Sequence, residues 1–343
     1  MPRATTNRGF SLIEVLIVIG IFSVLMAAVS VTFSTQVRHG SREYRIGESE
    51  VELGIVKSLL ERDIALAGYG LADDYGTTGF SPRSVQRQTG PNALILMGTA
   101  LGLNDRFGAP LHWTYATAVA PTFKVWGDSR EDLLANDRVI LIEPNTEQIL
   151  TQGATTPWKF QYNGSGSNLR DAGGTVWASP TIGTLVYGVD PGATQPFATV
   201  TYSLSTANLP SNCATGTSNL ERAESWGGAA TTIPLLACTL SLQTAFGLDT
   251  NKDGAIDLWD TNAGAVASGY SQATLAERLK QVRVYLLVQI GNRDASYTYP
   301  AATVRVGDAL LGAGTGADVA LNAEQRRFRW RIVSIDVTPR NVR

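Results

Sequence analysis

The chain has 343 residues, 44% of them hydrophobic and 17% charged. That is too apolar for a disordered chain and below the ~25% charge of an average soluble domain, so a folded body with a sparsely charged surface is expected. Lys+Arg 28 against Asp+Glu 30 leaves a net charge of -2, which offers no general electrostatic footprint for nucleic acid, and none is predicted as a partner.

Residues 1–9 are polar and include Arg3 and Arg8. From Phe10 to Phe33 the only ionisable residue is Glu14. At a rise of ~1.5 Å per residue this run reaches ~36 Å, enough for the ~30 Å hydrocarbon core of a bilayer. The arginines before it favour a cytoplasmic start. Met26-Ala27-Ala28 offers small residues where a secretory signal would be cut. Glu14 argues against that alternative, because a carboxylate in a membrane segment costs roughly 2.5–3.5 kcal/mol at mid-membrane and needs a partner or a purpose.

The string Gly9-Phe10-Ser11-Leu12-Ile13-Glu14-Val15-Leu16-Ile17 resembles the type III signal of type IV pilins and of type II secretion pseudopilins. The resemblance implies that prepilin peptidase cuts between Gly9 and Phe10 on the cytoplasmic side and N-methylates the new terminus. It also makes Glu14 the motif's acid. Physically, the cut would create a cationic Phe10 amine, and in a filament Glu14 can meet the amine of a neighbouring subunit. Such pairing offsets the desolvation of both ions and sets register in an apolar bundle.

Residues 36–70 keep helical character and turn amphipathic. Val51, Ile55, Leu59 and Leu66 are spaced as one apolar stripe, and the charged residues fall on other faces. No proline lies between Pro2 and Pro82, so a continuous helix from Phe10 to Ala67 is allowed. Gly68-Tyr69-Gly70 supplies the chemistry that ends it.

Beyond residue 70 the pattern becomes short β-branched runs between Gly, Pro, Asn and Asp clusters. Ala93–Met97, Arg138–Glu143, Gly183–Val189, Ala198–Leu204, Arg283–Ile290 and Phe328–Val337 read as strands, and Gln272–Lys280 as a short helix. Residues 164–174 and 205–219 read as loops. There is no regular β–α alternation, so the expected class is α+β: a long N-terminal helix packed on a large antiparallel β-rich head. The expected organisation is a leader (1–9), an assembly helix (10–35), a stem (36–70) and one head (71–343).

Glu61-Arg62-Asp63-Ile64-Ala65-Leu66-Ala67-Gly68-Tyr69, Phe246-Gly247-Leu248-Asp249, Val282-Arg283-Val284-Tyr285-Leu286-Leu287-Val288 and the closing Arg340-Asn341 are similar to PilW-like minor pilins. A head of that kind faces the oxidising periplasm, where Cys213 and Cys238 would form a disulfide. Closing a loop of this size contributes about 3 kcal/mol in the chain-entropy model.

The stretch 249–260 matches D-x-N-x-D-G-x-x-D with a further acid at its twelfth position. Calcium needs six or more oxygens, which alternate residues of a tight loop can aim inward. Asp249, Asn251, Asp253 and Asp257 would supply side chains, Ala255 its carbonyl, and Asp260 stands where an EF-hand has glutamate. A polar Asp-Gly turn is the plainer alternative.

The composition narrows enzymatic options. His39 and His112 are isolated imidazoles, and there is no G-x-S-x-G, H-E-x-x-H, Walker loop or C-x-x-C. The resemblance implies a structural minor pilin, acting with the major pilin and other minor pilins and with a PilY-type tip adhesin. It would sit in the inner membrane before assembly. A J-type pseudopilin is the alternative, and a membrane-tethered hydrolase a remote one.

Overall fold

The computed structural model describes residues 11–342, less 76–80, 89–91, 103–112, 118–121, 129–131, 151–159, 165–168, 171–175, 178–179, 190–196, 226–228, 261–268 and 308–315. Gly9, Phe10, His112 and most of the predicted loop 164–174 therefore lie outside the described residues. The chain divides into two compact units, Met1–Val51 and Glu52–Arg343. The second begins inside the predicted stem.

Helix α1 runs from Leu12 to Leu66 without interruption. Gly68 then turns the chain with a φ of 86°, and a side chain there would also collide with the Asn341 carbonyl. The helix end is satisfied from far away in sequence. The Asn341 side chain donates to the Ala65 carbonyl at 2.8 Å, and Gly68 N–H donates to the Met97 carbonyl at 2.9 Å.

Among the described residues, sixteen strands follow α1. They are β1 (Val85–Gln88), β2 (Ala93–Gly98), β3 (Trp113–Tyr115), β4 (Arg138–Ile142), β5 (Phe160–Tyr162), β6 (Leu169–Arg170), β7 (Val176–Trp177) and β8 (Leu185–Val189). Then come β9 (Ala198–Ser205), β10 (Ser218–Ser225), β11 (Thr231–Leu248), β12 (Leu258–Asp260), helix α2 (Gln272–Arg278), β13 (Leu279–Ile290), β14 (Thr303–Val306), β15 (Ala317–Ala320) and β16 (Arg329–Val337). The large sheet has the order β1-β2-β9-β10-β11-β13-β16 with β12 on β11, the second has β3-β8-β4-β5-β6-β7, and β14 pairs with β15. Every pairing between these strands is antiparallel.

All six expected strands are present. The expected helix at 272–280 is shorter: Ser271 caps α2 by accepting from Thr274 N–H, and β13 takes over at Leu279. Ten of the sixteen strands lie outside the expected runs, and two of these show why. The first, β10 (SNLERAES), is polar because it carries Arg222 into the interior. The other, β11, is broken up in sequence by Pro234 and bent where Cys238 takes a φ of 55° and the pairing register shifts after Thr239.

The stem packs on a different face from the one expected. Val51 and Ile55 are 66% and 62% exposed, and Leu59 and Leu66 are half-buried. The buried stripe is Leu53, Val56, Leu60, Ile64 and Ala67. Its mixed steps of three and four residues hold one face, whereas repeated steps of four drift around the helix.

Asp63 lies in this buried face, wholly removed from solvent. Its Oδ2 accepts from Arg222 Nε and from the Tyr202 hydroxyl, both at 2.7 Å. Arg222 is itself buried, and donates onward to the Leu101 carbonyl at 2.7 Å and to Glu224 at 2.9 Å. One carboxylate thus ties α1 to β9 and β10. Burial, and then the charge of Asp63, push the Tyr202 phenol up.

A second polar seam joins the segment after α1 to the second sheet. Asp73 N–H donates to the Glu147 carbonyl at 2.9 Å, Ile149 N–H to the Asp74 carbonyl at 3.0 Å, and Gln148 Nε2 to Asp74 at 3.1 Å. Glu147 takes a φ of 52°, the left-handed region. Desolvation first, then a hydrogen bond with the Glu147 carboxylate and its charge, push the Asp73 carboxyl up to about 7. Beneath the seam lie Ala72, Tyr75, Ile140, Ile142, Ile149 and Phe197.

Arg222→Ala is expected to destabilise the fold by about 3–5 kcal/mol, because it leaves the Asp63 carboxylate buried without its cation. Chemical denaturation of the variant checks this, and the double variant Asp63→Leu, Arg222→Leu should recover most of the loss. At the seam, folded Asp73 keeps a proton that the unfolded chain releases from pH ~4 upward. The stabilisation is complete below the ordinary carboxyl pKa and is lost as pH rises toward 7. Melting of wild type should therefore fall more between pH 5 and pH 8 than that of Asp73→Asn; equal slopes would refute the assignment.

Candidate assembly and cation-binding sites

Glu14 lies in the first turn of α1, where a negative group faces the positive end of the helix dipole. Its Oε2 accepts from Ser11 N–H at 3.2 Å. From Leu12 to Ser34 the helix is long and apolar enough to cross a membrane, and it is exposed throughout in the single chain. Three of its four hydroxyls are bonded within the helix: Ser23 donates to the Ile19 carbonyl, Thr32 to Ala28 and Ser34 to Val31. An apolar medium therefore meets three hydroxyls already bonded within the helix, whereas the charge of Glu14 has no cation within the span.

The 249–260 stretch does not act as one loop. Asp249 is buried at the end of β11, and its carboxylate accepts from Gly254 N–H at 2.8 Å and Asp253 N–H at 3.1 Å. Asn251 Nδ2 donates to Asp253 at 3.0 Å. Asp249, Asn251 and Asp253 are thus gathered around the turn at Gly254, whose φ is 93°. Asp257 is engaged by the backbone and hydroxyl of the same turn, accepting from Thr250 N–H, the Thr250 hydroxyl and Asn251 N–H. Asp260 is buried in β12 and pairs with Phe246, apart from the turn. Among the described residues, no three His, Cys, Asp or Glu side chains are grouped to hold a metal ion.

The electrostatics match this geometry. Desolvation raises Asp249, but the amides of Gly254, Lys252 and Asp253 and the nearby Lys280 outweigh it and hold the carboxyl low. Thr250, through its amide and then its hydroxyl, lowers Asp257. Lys252 pairs with Glu277 and Lys280 with Asp249, so α2 and the start of β13 brace the turn.

Cys213 and Cys238 are bonded to each other, closing a sequence separation of 25 and fastening the β9–β10 connection to the bend in β11. Gln289 supports the same connection, accepting from Ala214 N–H and donating to the Asn212 carbonyl.

The Asp63–Arg222–Tyr202 cluster and the Asp73–Glu147 seam are absent from the sequence expectations. Asp63 had a signal: it is an acid on the face that carries Leu53, Val56 and Leu60. The seam had none, since it joins residues more than seventy positions apart.

The model of the prokaryotic N-terminal methylation motif matches residues 5–30. No curated protein matches the chain. Among solved structures, a type IV-like pilin from Thermus thermophilus is similar over 86% of this chain and 98% of its own, at 10% identity and a TM-score of 0.36. The motif match spans the end of the polar N-terminal segment, the Gly9-Phe10 dipeptide, Glu14 and most of the apolar run. The N-terminal segment thus carries a prokaryotic N-terminal methylation motif, and an antiparallel β-rich head follows it.

Proposed function

We propose that the chain is a structural minor pilin of a type IV pilus, of the PilW-like kind, that helps initiate assembly or sits at the pilus tip. The observation that carries this is Glu14: the one charged residue of the apolar Leu12–Ser34 span, placed in the first turn of its helix. The motif favours a structural role over a catalytic one. Prepilin peptidase would cut at Gly9-Phe10, and the new amine of one subunit would meet Glu14 of the next. The head would stand in the periplasm before assembly and on the pilus afterwards, beside the major pilin, other minor pilins and a PilY-type adhesin.

Calcium is part of the same proposal. The clustering of Asp249, Asn251 and Asp253 around Gly254 favours it, and the Ala255 carbonyl would be a further ligand. Asp257 would have to leave Thr250 to join, and Asp260 would stay in its strand. Bound calcium would stabilise the head by mass action.

Deleting the gene and complementing it separates the processing and assembly roles. Gly9→Val should remain unprocessed by mass spectrometry, with the leader attached, whereas Glu14→Ala should begin at Phe10 and enter pili poorly. Full complementation by both variants, or a mature chain beginning near residue 29, refutes the pilin proposal; restored secretion with no change in surface pili assigns the chain to a pseudopilus instead. Calcium is tested by titration calorimetry of the full chain, where heat and a melting point raised over chelator-treated protein are expected. An absence of both rejects it.

A further inference from the structure

The second sheet carries an aromatic cluster on its edge strand β3. Trp113 and Tyr115 lie on one face of that strand, half-buried, while Thr114 between them is buried on the other. Trp126 joins them from the segment that follows. Its ring centroid lies 5.0 Å from that of Trp113 and 6.2 Å from that of Tyr115, and the residue is 38% exposed. Val125 beside it is 68% exposed. The core beneath is served instead by Phe123, which packs against Val139, Leu141 and Phe160. The exposed rings are nevertheless held in place. Trp126 Nε1 donates to the Trp113 carbonyl at 2.9 Å, and the backbone amides of Trp126 and Gly127 donate to the Asp132 carboxylate. Lys124 N–H donates to the Tyr115 carbonyl at 3.0 Å, and the Thr114 hydroxyl donates to the Lys124 carbonyl at 2.5 Å. The Lys124 ammonium sits 5.8 Å from the centre of the Trp126 ring, and among the described residues it pairs with no carboxylate.

We propose that this cluster binds an acidic glycan, with a pyranose ring lying on Trp126 and its carboxylate meeting Lys124. The choice of ligand follows from what the surface can take. The backbone edge of β3 is already covered by the Ala116–Phe123 bridge, the Lys124 amide and Trp126 Nε1, so an extended peptide cannot add to it. Ring centroids 5.0 to 6.5 Å apart leave no gap for an organic cation between them. One lysine is too little charge to hold an anionic membrane, which takes a cluster of about four to eight basic residues. What remains is a small, rigid apolar face with a cation at its rim and a phenol hydroxyl, that of Tyr115, within it. A uronate sugar offers the complement in one unit: an apolar C–H face for the ring, hydroxyls at its edges and a carboxylate. Rings already locked lose little freedom on binding, and exposed apolar patches backed by fixed polar groups mark binding surfaces. This inference does not depend on the proposed pilus role.

The test uses the full chain in detergent micelles and two fluorescent probes, tetragalacturonate and its methyl ester, which share every ring and differ in charge. Anisotropy should show the acid bound about three-fold more tightly than the ester, the size of one exposed ion pair. Lys124→Met should bring the two probes level. Trp126→Ala should weaken both by about ten-fold with an unchanged circular dichroism spectrum, and Trp126→Phe should recover part of the loss. The inference is overturned if wild type binds neither probe or both equally, if Lys124→Met keeps the preference, or if Trp126→Ala binds like wild type. It is also overturned if sedimentation shows a dimer that Trp126→Ala disperses, which would make a second copy the occupant. Should Trp126→Ala fail to fold, the Lys124→Met comparison decides alone, since that side chain is exposed.

Discussion

The buried contact between Asp63 and Arg222 is the constraint around which the second unit is arranged. A carboxylate with no solvent exposure requires a cation and hydrogen-bond donors at fixed positions, and both come from the large sheet: Arg222 on β10 and the Tyr202 hydroxyl on β9. Apolar packing by Leu53, Val56, Leu60 and Ile64 holds the helix on the sheet but does not specify its position along the groove, because one aliphatic contact resembles the next. The charged contact does specify it. Arg222 extends the constraint by donating to the Leu101 carbonyl, so the chain beyond β2 is fixed by the same guanidinium.

Other contacts at the helix end answer to that position. With Asp63 in place, the Ala65 carbonyl meets Asn341, and Gly68 passes so close to the C-terminal segment that only a residue without Cβ fits. The chain then crosses to the second sheet through Ala72 to Tyr75, where the Asp73–Glu147 contact closes the seam. A single turn of α1 thereby organises contacts to β2, β9, β10, the second sheet and the chain terminus.

How much of this the sequence discloses depends on the range of the interaction. Glu14 is legible because its signal is local: one acid in an apolar run, next to a recognisable dipeptide. Strands such as β9 and β13 are legible because alternation and β-branching report burial directly. The stem face was misread because Val51 and Ile55 are apolar and yet exposed, so hydrophobicity alone pointed to the wrong side. Arg222 made β10 look like surface, since the neutralising carboxylate lies 159 residues away. The calcium pattern was legible as a set of oxygens, but sequence did not disclose that Asp257 is engaged by Thr250 or that Asp260 belongs to β12.

The same distances bear on the order in which the molecule can be built. The seat of α1 draws on residues separated by 139, 159 and 276 positions, and contacts of that kind require large loops to close before they contribute. The helix itself depends on neighbours four residues apart and can form as soon as it is made. Its apolar part is therefore available to a membrane before the last strands and Asn341 exist to complete the seat. A helix that forms by local bonding, joined to a head fixed by distant ones, can form before the head folds without either process waiting on the other's contacts.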